Sequence, residues 1–371
     1  MRRPVVIAAG GTGGHMFPAL ALAAELEQRG QAVIVACDRR GSRYLAAGRT
    51  ARVIRAASPS GGTADRLRGM AELGMGFVQS LAFLRRRRPL AVAAFGGYAS
   101  VPIALAAQML RIPTLIHEQN AVLGRANRLI ARRAQRLALT FAATHGAEAV
   151  AEARRLVTGN PVRAEVAALR DRSYQPPVSG EPFRLLVVGG SQGARVLSDV
   201  LPAAMARLSA RIRTRIALTQ QCRPEDLERV AAAYAELGYV VELKPFFDDL
   251  PRRLADAHAV ISRSGASSVA ELLALGRPAL LVPFRLAADD HQRANAEAVA
   301  AAGAGTVVGE RELDAATLAD QITSWVERPE QLAAMAAQAY ALGRPDAART
   351  LADAVASLAR KPAGAHLEAL A

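Results

Sequence analysis

Short apolar runs alternate with longer alanine-rich stretches of helical spacing from one end of the chain to the other. The runs at 5–9, 32–36, 52–54, 91–95, 114–116 and 137–139 predict strands, being short, aliphatic and bounded by polar or glycine breaks. Helices are expected between them. In the candidate over 18–29, Glu25 and Arg29 stand at i,i+4, and Gly30 can close the helix in a left-handed turn. The alternation stops at Asp171-Arg172-Ser173-Tyr174-Gln175-Pro176-Pro177, a polar linker, and restarts with apolar runs at 183–188, 215–218, 240–243, 260–262 and 279–282. Two successive βα series predict an α/β protein with two Rossmann-like domains built on parallel sheets. The expected division is 1–164, then 165–342, then a terminal helix and tail over 343–371 that packs back on the first domain.

Each series opens with a strand running into a glycine loop: Gly10-Gly11-Thr12-Gly13-Gly14-His15 in the first, Gly189-Gly190-Ser191-Gln192-Gly193 in the second. Glycine lets backbone N–H groups approach a phosphate, and the helix that follows turns its positive end toward it. A tight βα turn favours glycine too, so the weight lies in two such loops, each heading its own series. A dinucleotide fingerprint fails, because Met16 stands where its third glycine belongs. Asp38, at the place of a ribose-binding acid, then reads as a solvated strand-end residue.

Composition narrows the classes. With 51% hydrophobic and 22% charged residues over 371 positions the chain is globular, which excludes wholesale disorder and collagen-like repeats. Cys37 and Cys222 form no disulfide framework or metal-ligand spacing, as fits a reducing cytoplasm. The 22 uncharged residues from 89 to 110 contain Gly96-Gly97 and two prolines, and read as strand, glycine loop and helix rather than as a membrane span. The first residues carry no long apolar region of the kind a signal peptide needs. Formal net charge is +14, and 45 of the 47 basic residues are arginine. That charge points to an anionic partner; with 4% aromatics and no recognisable module, nucleic acid is not expected. No Asp-x-Asp triplet occurs, so neither a metal nor another cofactor is expected.

Taken in order, the motifs lead to a family. Gly10-Gly11-Thr12-Gly13-Gly14-His15 with Phe17-Pro18, Gly96-Gly97-Tyr98, His117-Glu118-Gln119-Asn120 and Gly159-Asn160-Pro161-Val162-Arg163 fill the first half. Gly189-Gly190-Ser191-Gln192-Gly193-Ala194, Arg263-Ser264-Gly265-Ala266 and the segment 289–295 fill the second. The set resembles the MurG family of bacterial peptidoglycan glycosyltransferases, within glycosyltransferase family 28. The resemblance implies a GT-B fold, two domains facing across a cleft. It implies inverting transfer of GlcNAc from UDP-GlcNAc to the muramyl sugar of lipid I, giving lipid II, as a peripheral protein on the cytoplasmic face of the membrane. A role in cell wall synthesis, and so in cell shape and division, comes with it. The alternatives are a relative of the same fold, such as a UDP-GlcNAc 2-epimerase, and a sugar-nucleotide-binding protein without catalysis.

The resemblance also suggests roles. Thr12, Gly13 and Gly14 belong to the substrate-binding set. Ser191 and the helix start Ala266-Ser267-Ser268-Val269-Ala270 would face the donor diphosphate, where backbone donors stabilise the leaving charge without a metal. Phe247 and Arg163 would lie near the uracil, although Phe247 reads equally as a core aromatic. Glu271 would accept the ribose hydroxyls. Alternatively it completes a capping box with Ser268, which alone explains a glutamate there. Asn120 and Gln292 look like sugar-binding residues, since an amide both donates to and accepts from hydroxyls; His291, beside Gln292, reads equally as a surface residue.

His15 is the candidate catalytic residue. It stands at a helix N-terminus, where positive potential favours neutral imidazole over imidazolium. A neutral ring can take the proton of the acceptor hydroxyl as it attacks the anomeric carbon. A hydrogen bond to the acceptor's diphosphate is the other role, and the sequence leaves both open. His117 is expected to hold its loop, and His145, His258 and His366 to be structural. One more segment concerns the partner. Residues 66–84 form an apolar helix running into Arg85-Arg86-Arg87-Arg88, the pattern of an anionic membrane surface or of a half-buried helix with a solvated basic end.

Overall fold

The computed structural model describes residues 3–46, 48–59, 61–178, 180–190 and 193–360. They form two compact units: one runs to Arg163 and resumes at Asp346, and the other is Ala164–Pro345. In the first, the strands are β1 (Val5–Ala8), β2 (Val33–Cys37), β3 (Ala51–Val53), β4 (Ala91–Ala94), β5 (Thr114–Glu118), β6 (Arg136–Leu139) and β7 (Arg155–Val157). They pair in parallel in the order β3-β2-β1-β4-β5-β6-β7. In the second, β8 (Phe183–Val188), β9 (Ile216–Gln221), β10 (Glu242–Lys244), β11 (Ala259–Ser262), β12 (Ala279–Leu281) and β13 (Thr306–Val307) pair in parallel in the order β10-β9-β8-β11-β12-β13.

The central strands are buried on both faces, which is why they read as unbroken aliphatic runs rather than as alternations. Two strands escaped the sequence pattern. Both β7 and β13 are short edge strands, only half buried, so neither needs a strong apolar run. In each sheet the strand order reverses beside the first strand, between β1 and β4 and between β8 and β11. Loops leaving the C-terminal ends of such neighbours diverge and open a crevice for ligands. Both glycine loops sit at these points.

The helix after β1 is Gly13–Gln28, five residues longer at its start than the expected 18–29, with Pro18 inside it. Proline withholds one hydrogen bond from the carbonyl of Gly14, and Gly14 is exposed, so water can serve that oxygen. The helix Ala347–Arg360 lies against Gly13–Gln28. Leu351, Ala352, Val355 and Leu358 enter the same core as Met16, Leu22 and Leu26, so this helix completes the first unit, while the tail from 361 with His366 lies outside the described residues.

Candidate active site

The first glycine loop is fixed by a buried carboxylate. Gly11, at φ +84°, donates its N–H to Asp38 Oδ1 at 3.0 Å, and Gly41 donates to the same oxygen at 2.8 Å. Arg40 Nε reaches Oδ2 at 3.2 Å. Asp38 is only 5% exposed, which corrects the expectation of a solvated strand end. The segments after β1 and β2 each leave one backbone N–H in need of an acceptor, and Asp38, just past β2, serves both. Space fixes the loop as well: a Cβ on Gly10 would come within 2.3 Å of Ala99 Cβ. Thr12 ends the loop as helix N-cap, its carbonyl accepting from the N–H groups of His15 and Met16, with Thr12 and Gly14 exposed and Gly13 buried.

His15 is half-buried and wired inward. Its Nδ1 lies 2.9 Å from Gln119 Oε1. Gln119 Nε2 is 2.9 Å from His117 Nδ1 and 3.1 Å from the His117 carbonyl, and His117 Nε2 is 3.0 Å from the carbonyl of Gly159. His117 is wholly buried; desolvation pushes its pKa down to about 4, against a backbone hydrogen bond to Gly159 that raises it. Glu118, 1% exposed, holds the following turn: Oε1 accepts from the Asn120 backbone and side-chain N–H groups, Oε2 from Gly124 N and Asn127 Nδ2. Asn120 is thus oriented, half-buried, by its neighbour's carboxylate. The division of labour falls at the end of β5: His117 and Glu118 are its last two residues and point to opposite faces, and Gln119 and Asn120, just past it, join His117 and Glu118 respectively. Gln119 lay inside the quoted motif, but nothing in its spacing points to His15, 104 residues away.

In the second unit the loop after β8 carries Gly190 and Gly193 at φ +81° and +69°. A Cβ on Gly189 would lie 2.3 Å from Ala194 N, so the turn admits only glycine there. Ser191 lies outside the described residues. After β11 the helix Ala266–Leu275 begins with Gly265 as N-cap and no side-chain cap. This overturns the capping box. Ser268 is the third residue inside the helix, Val269 N already bonds the Gly265 carbonyl, and Glu271 lies a turn too late to reach back. The first-turn N–H groups of 265–268 have no acceptor within the helix, and the buried Ser267 Oγ has no partner among the described residues. Val269, Ala270 and Glu271 are buried, Glu271 at 8% exposure.

Around this helix start, Ser264 Oγ donates to the Gln292 carbonyl at 2.7 Å, and Asn295 Nδ2 to the Ser264 carbonyl at 3.0 Å. Gln292 Oε1 accepts from Phe284 N at 3.0 Å, which leaves its amide NH₂ as the group to meet a ligand. His291 is half-buried, with Nδ1 against the Ala288 carbonyl. Arg263, 6% exposed, is paired with Glu310 at 3.1 Å and donates to the Val282 and Pro283 carbonyls. Sequence reasoning quoted Arg263 without assigning this bracing role, because Glu310 is distant in sequence. The Phe247 side chain is buried under the Arg253 guanidinium, 4.5 Å from its ring centre, so only its backbone remains for a ligand. Arg163 is half-buried and is the last residue of the first unit before the chain passes into the second. Thr12, Gly13, Gly14 and His15 thus follow β1 and Ala266 to Glu271 follow β11, beside the two reversals of strand order, while Asn120 follows β5, Gln292 follows β12, Phe247 follows β10 and Arg163 follows β7. Among the described residues no group of three or more His, Cys, Asp or Glu side chains is placed to hold a metal ion.

The chain matches the family model of the glycosyltransferase family 28 N-terminal domain over residues 5–139 and that of the C-terminal domain over 184–351. It is 50% identical over 354 residues to the UDP-N-acetylglucosamine--N-acetylmuramyl-(pentapeptide) pyrophosphoryl-undecaprenol N-acetylglucosamine transferase of Rhodospirillum centenum, covering 95% of this chain and 93% of that one. To the protein of the same name from Paramagnetospirillum magneticum it is 49% identical, covering 97% and 98%. Among solved structures, Acinetobacter baumannii MurG matches with a TM-score of 0.79 at 28% identity, over 96% of this chain and 99% of that one. A UDP-GlcNAc 2-epimerase from Neisseria meningitidis shares the fold, with a TM-score of 0.67 at 16% identity over 95% and 100%.

Proposed function

The chain belongs to glycosyltransferase family 28, and from that footing we propose that it is an N-acetylglucosaminyltransferase acting in peptidoglycan synthesis. It transfers GlcNAc from UDP-GlcNAc to the muramyl sugar of lipid I, the undecaprenyl-diphosphate-linked muramyl pentapeptide, forming lipid II and UDP. The observation that carries this is the identity of about half of all residues, over nearly the whole of both chains, with transferases of that name.

We read the transfer, by analogy with the family, as a single inverting displacement. His15 takes the proton of the attacking hydroxyl, whose oxygen forms the new bond to the anomeric carbon as the bond to the UDP oxygen breaks. UDP leaves with both electrons of that bond. The unpaired N–H groups at the start of Ala266–Leu275, with Ser267 Oγ, suit its diphosphate, as does the loop after β8 to which Ser191 belongs. Buried Glu271, one turn further along that helix, suits the ribose hydroxyls, and Gln292 and Asn120 suit sugar hydroxyls. Thr12, Gly13 and Gly14 line the loop that carries His15. Phe247 is assigned to the uracil only through its backbone, with Arg163 as a second contact.

A lipid-linked acceptor brings the protein to a membrane surface on the cytoplasmic side. No helix among the described residues is long and apolar enough to cross a bilayer. The helix Thr63–Arg87 instead packs Phe77, Leu81 and Leu84 on the core while Leu67, Met70 and Val78 are 61–68% exposed, and Arg85 to Arg88 are all exposed at its end. Apolar side chains beside a basic cluster fit an anionic interface. Each arginine near such a surface is worth about 1 kcal/mol, so replacing all four with glutamine should weaken binding to anionic vesicles by roughly 10³-fold at low salt. Equal binding to neutral and anionic vesicles would exclude the electrostatic part.

Incubation with labelled UDP-GlcNAc and a lipid I analogue tests the reaction. Labelled disaccharide-lipid and UDP release that depend on acceptor are expected. A 2-epimerase would instead isomerise the donor sugar without acceptor, and that outcome would replace this reading.

A further inference from the structure

We propose that Gln119 is a positioning residue that fixes the proton of His15 on Nδ1 and leaves the lone pair on Nε2, where a base must act. The inference deepens the reading of His15 as proton acceptor and rests on it for its catalytic meaning.

The assignment starts from groups that can only accept. The Gly159 carbonyl, which also receives the Thr158 hydroxyl, faces His117 Nε2 at 3.0 Å, so that nitrogen carries the hydrogen. His117 has no exposed surface and burial keeps it neutral at neutral pH, so its Nδ1 is a lone pair. Gln119 places one end of its amide against two acceptors, His117 Nδ1 at 2.9 Å and the His117 carbonyl at 3.1 Å. Only the NH₂ satisfies both; the reversed amide would set an oxygen against two lone pairs, inside a side chain that is 1% exposed. The amide oxygen therefore faces His15 Nδ1 at 2.9 Å, and Nδ1 must donate. In the neutral ring Nε2 is then unprotonated.

Space is also kept beside the Nε2 side of the ring. Cβ atoms on Gly96 and Gly97 would lie 3.3 Å from His15 Cε1 and Cδ2, the two carbons that flank Nε2. Both glycines have positive φ, +82° and +71°, which other residues adopt only with strain. The loop after β4 thus leaves the Nε2 edge uncrowded while Gln119 holds the opposite nitrogen.

The test is the histidine side-chain ¹⁵N spectrum of the full chain at neutral pH, the His15 signals being identified by their loss in His15→Gln. Wild type should show His15 with a protonated Nδ1 and an unprotonated Nε2. Gln119→Met removes the acceptor and should move His15 toward the Nε2–H tautomer, with kcat lowered at least about 10-fold and KM for UDP-GlcNAc unchanged. The wild-type spectrum alone decides the wiring should the methionine variant fold poorly, because the assignment requires His15 to carry its hydrogen on Nδ1 before any substitution. A wild-type His15 protonated on Nε2, or an unchanged tautomer in a folded Gln119→Met, would overturn the inference. A shifted tautomer with unchanged kcat would leave the wiring standing and remove His15 as the base.

Discussion

Around β1 and β5 the polar groups are paired with one another: Asp38 closes the glycine loop, Glu118 closes the turn after β5, and Gln119 joins two histidines. At the start of Ala266–Leu275 the helix has no side-chain cap and Ser267 Oγ has no partner among the described residues. Both regions lie at the C-terminal ends of central parallel strands, so the difference is chemical. A group that must hold a proton in one place benefits from fixed partners. A group that must meet a charged ligand benefits from donors that the protein itself does not use. Buried unpaired donors destabilise a fold by roughly 1–3 kcal/mol each, so such an arrangement is retained where a ligand repays it.

The comparison breaks most visibly at His15. His15→Ala should lower kcat by roughly 10²–10⁴-fold with donor affinity nearly unchanged, since the closed network serves the proton and not the nucleotide. Steady-state kinetics with a lipid I analogue, beside calorimetric UDP-GlcNAc titration, reads both. A large rise in acceptor KM at constant kcat would move His15 to acceptor binding instead.

Next in size is Glu271. With the capping box gone, Glu271→Ala should weaken UDP-GlcNAc binding roughly 10- to 150-fold, the loss of charged hydrogen bonds worth about 1.5–3 kcal/mol. Wild type should prefer UDP-GlcNAc to its 2′-deoxyribose analogue, and the variant should largely lose that preference. Undiminished discrimination in the variant would return Glu271 to a structural role.

The last effect is read in stability rather than in rate or affinity, and concerns the closed network alone. His117 titrates near its ordinary 6.5 in the unfolded chain and at about 4 in the folded one, where desolvation opposes its charge. Between those values the unfolded state binds a proton that the folded state does not, so stability present above pH 6.5 is lost as pH falls toward 4. The contribution is about 1.4 kcal/mol per pH unit within that window. His258, in the other unit, is also pushed down to about 4 by burial, so the measurement is a difference. Urea unfolding of wild type and His117→Asn across pH 4–7 should show the slope reduced by that amount. Equal slopes would mean that His117 is not held neutral.

Much of this was legible beforehand. The strands β1, β4, β8 and β11 are aliphatic because they are covered on both faces, and the glycine loops follow them because the chain must turn at once. The helix start at Ser268 misled because Ser-x-x-Glu is a capping box only when the serine lies outside the helix. Where the helix begins was set by Gly265, through its carbonyl bond from Val269 and its place after β11. Asp38 misled for a related reason: nothing local to a strand end tells whether a carboxylate meets water or the N–H of Gly11, 27 residues earlier.

The sequence by itself determined the two α/β series, the parallel sheets, the two glycine loops and the family. Each follows from short-range pattern or from motifs that keep their order along the chain. Only the tertiary structure decided which polar groups face each other: Gln119 against His15 across 104 residues, Arg263 against Glu310 across 47. A hydrogen bond is directional and acts within about 3 Å, so its partners are chosen by how strands and loops are brought together. Residue type supplies the donor or acceptor, and the fold supplies the distance.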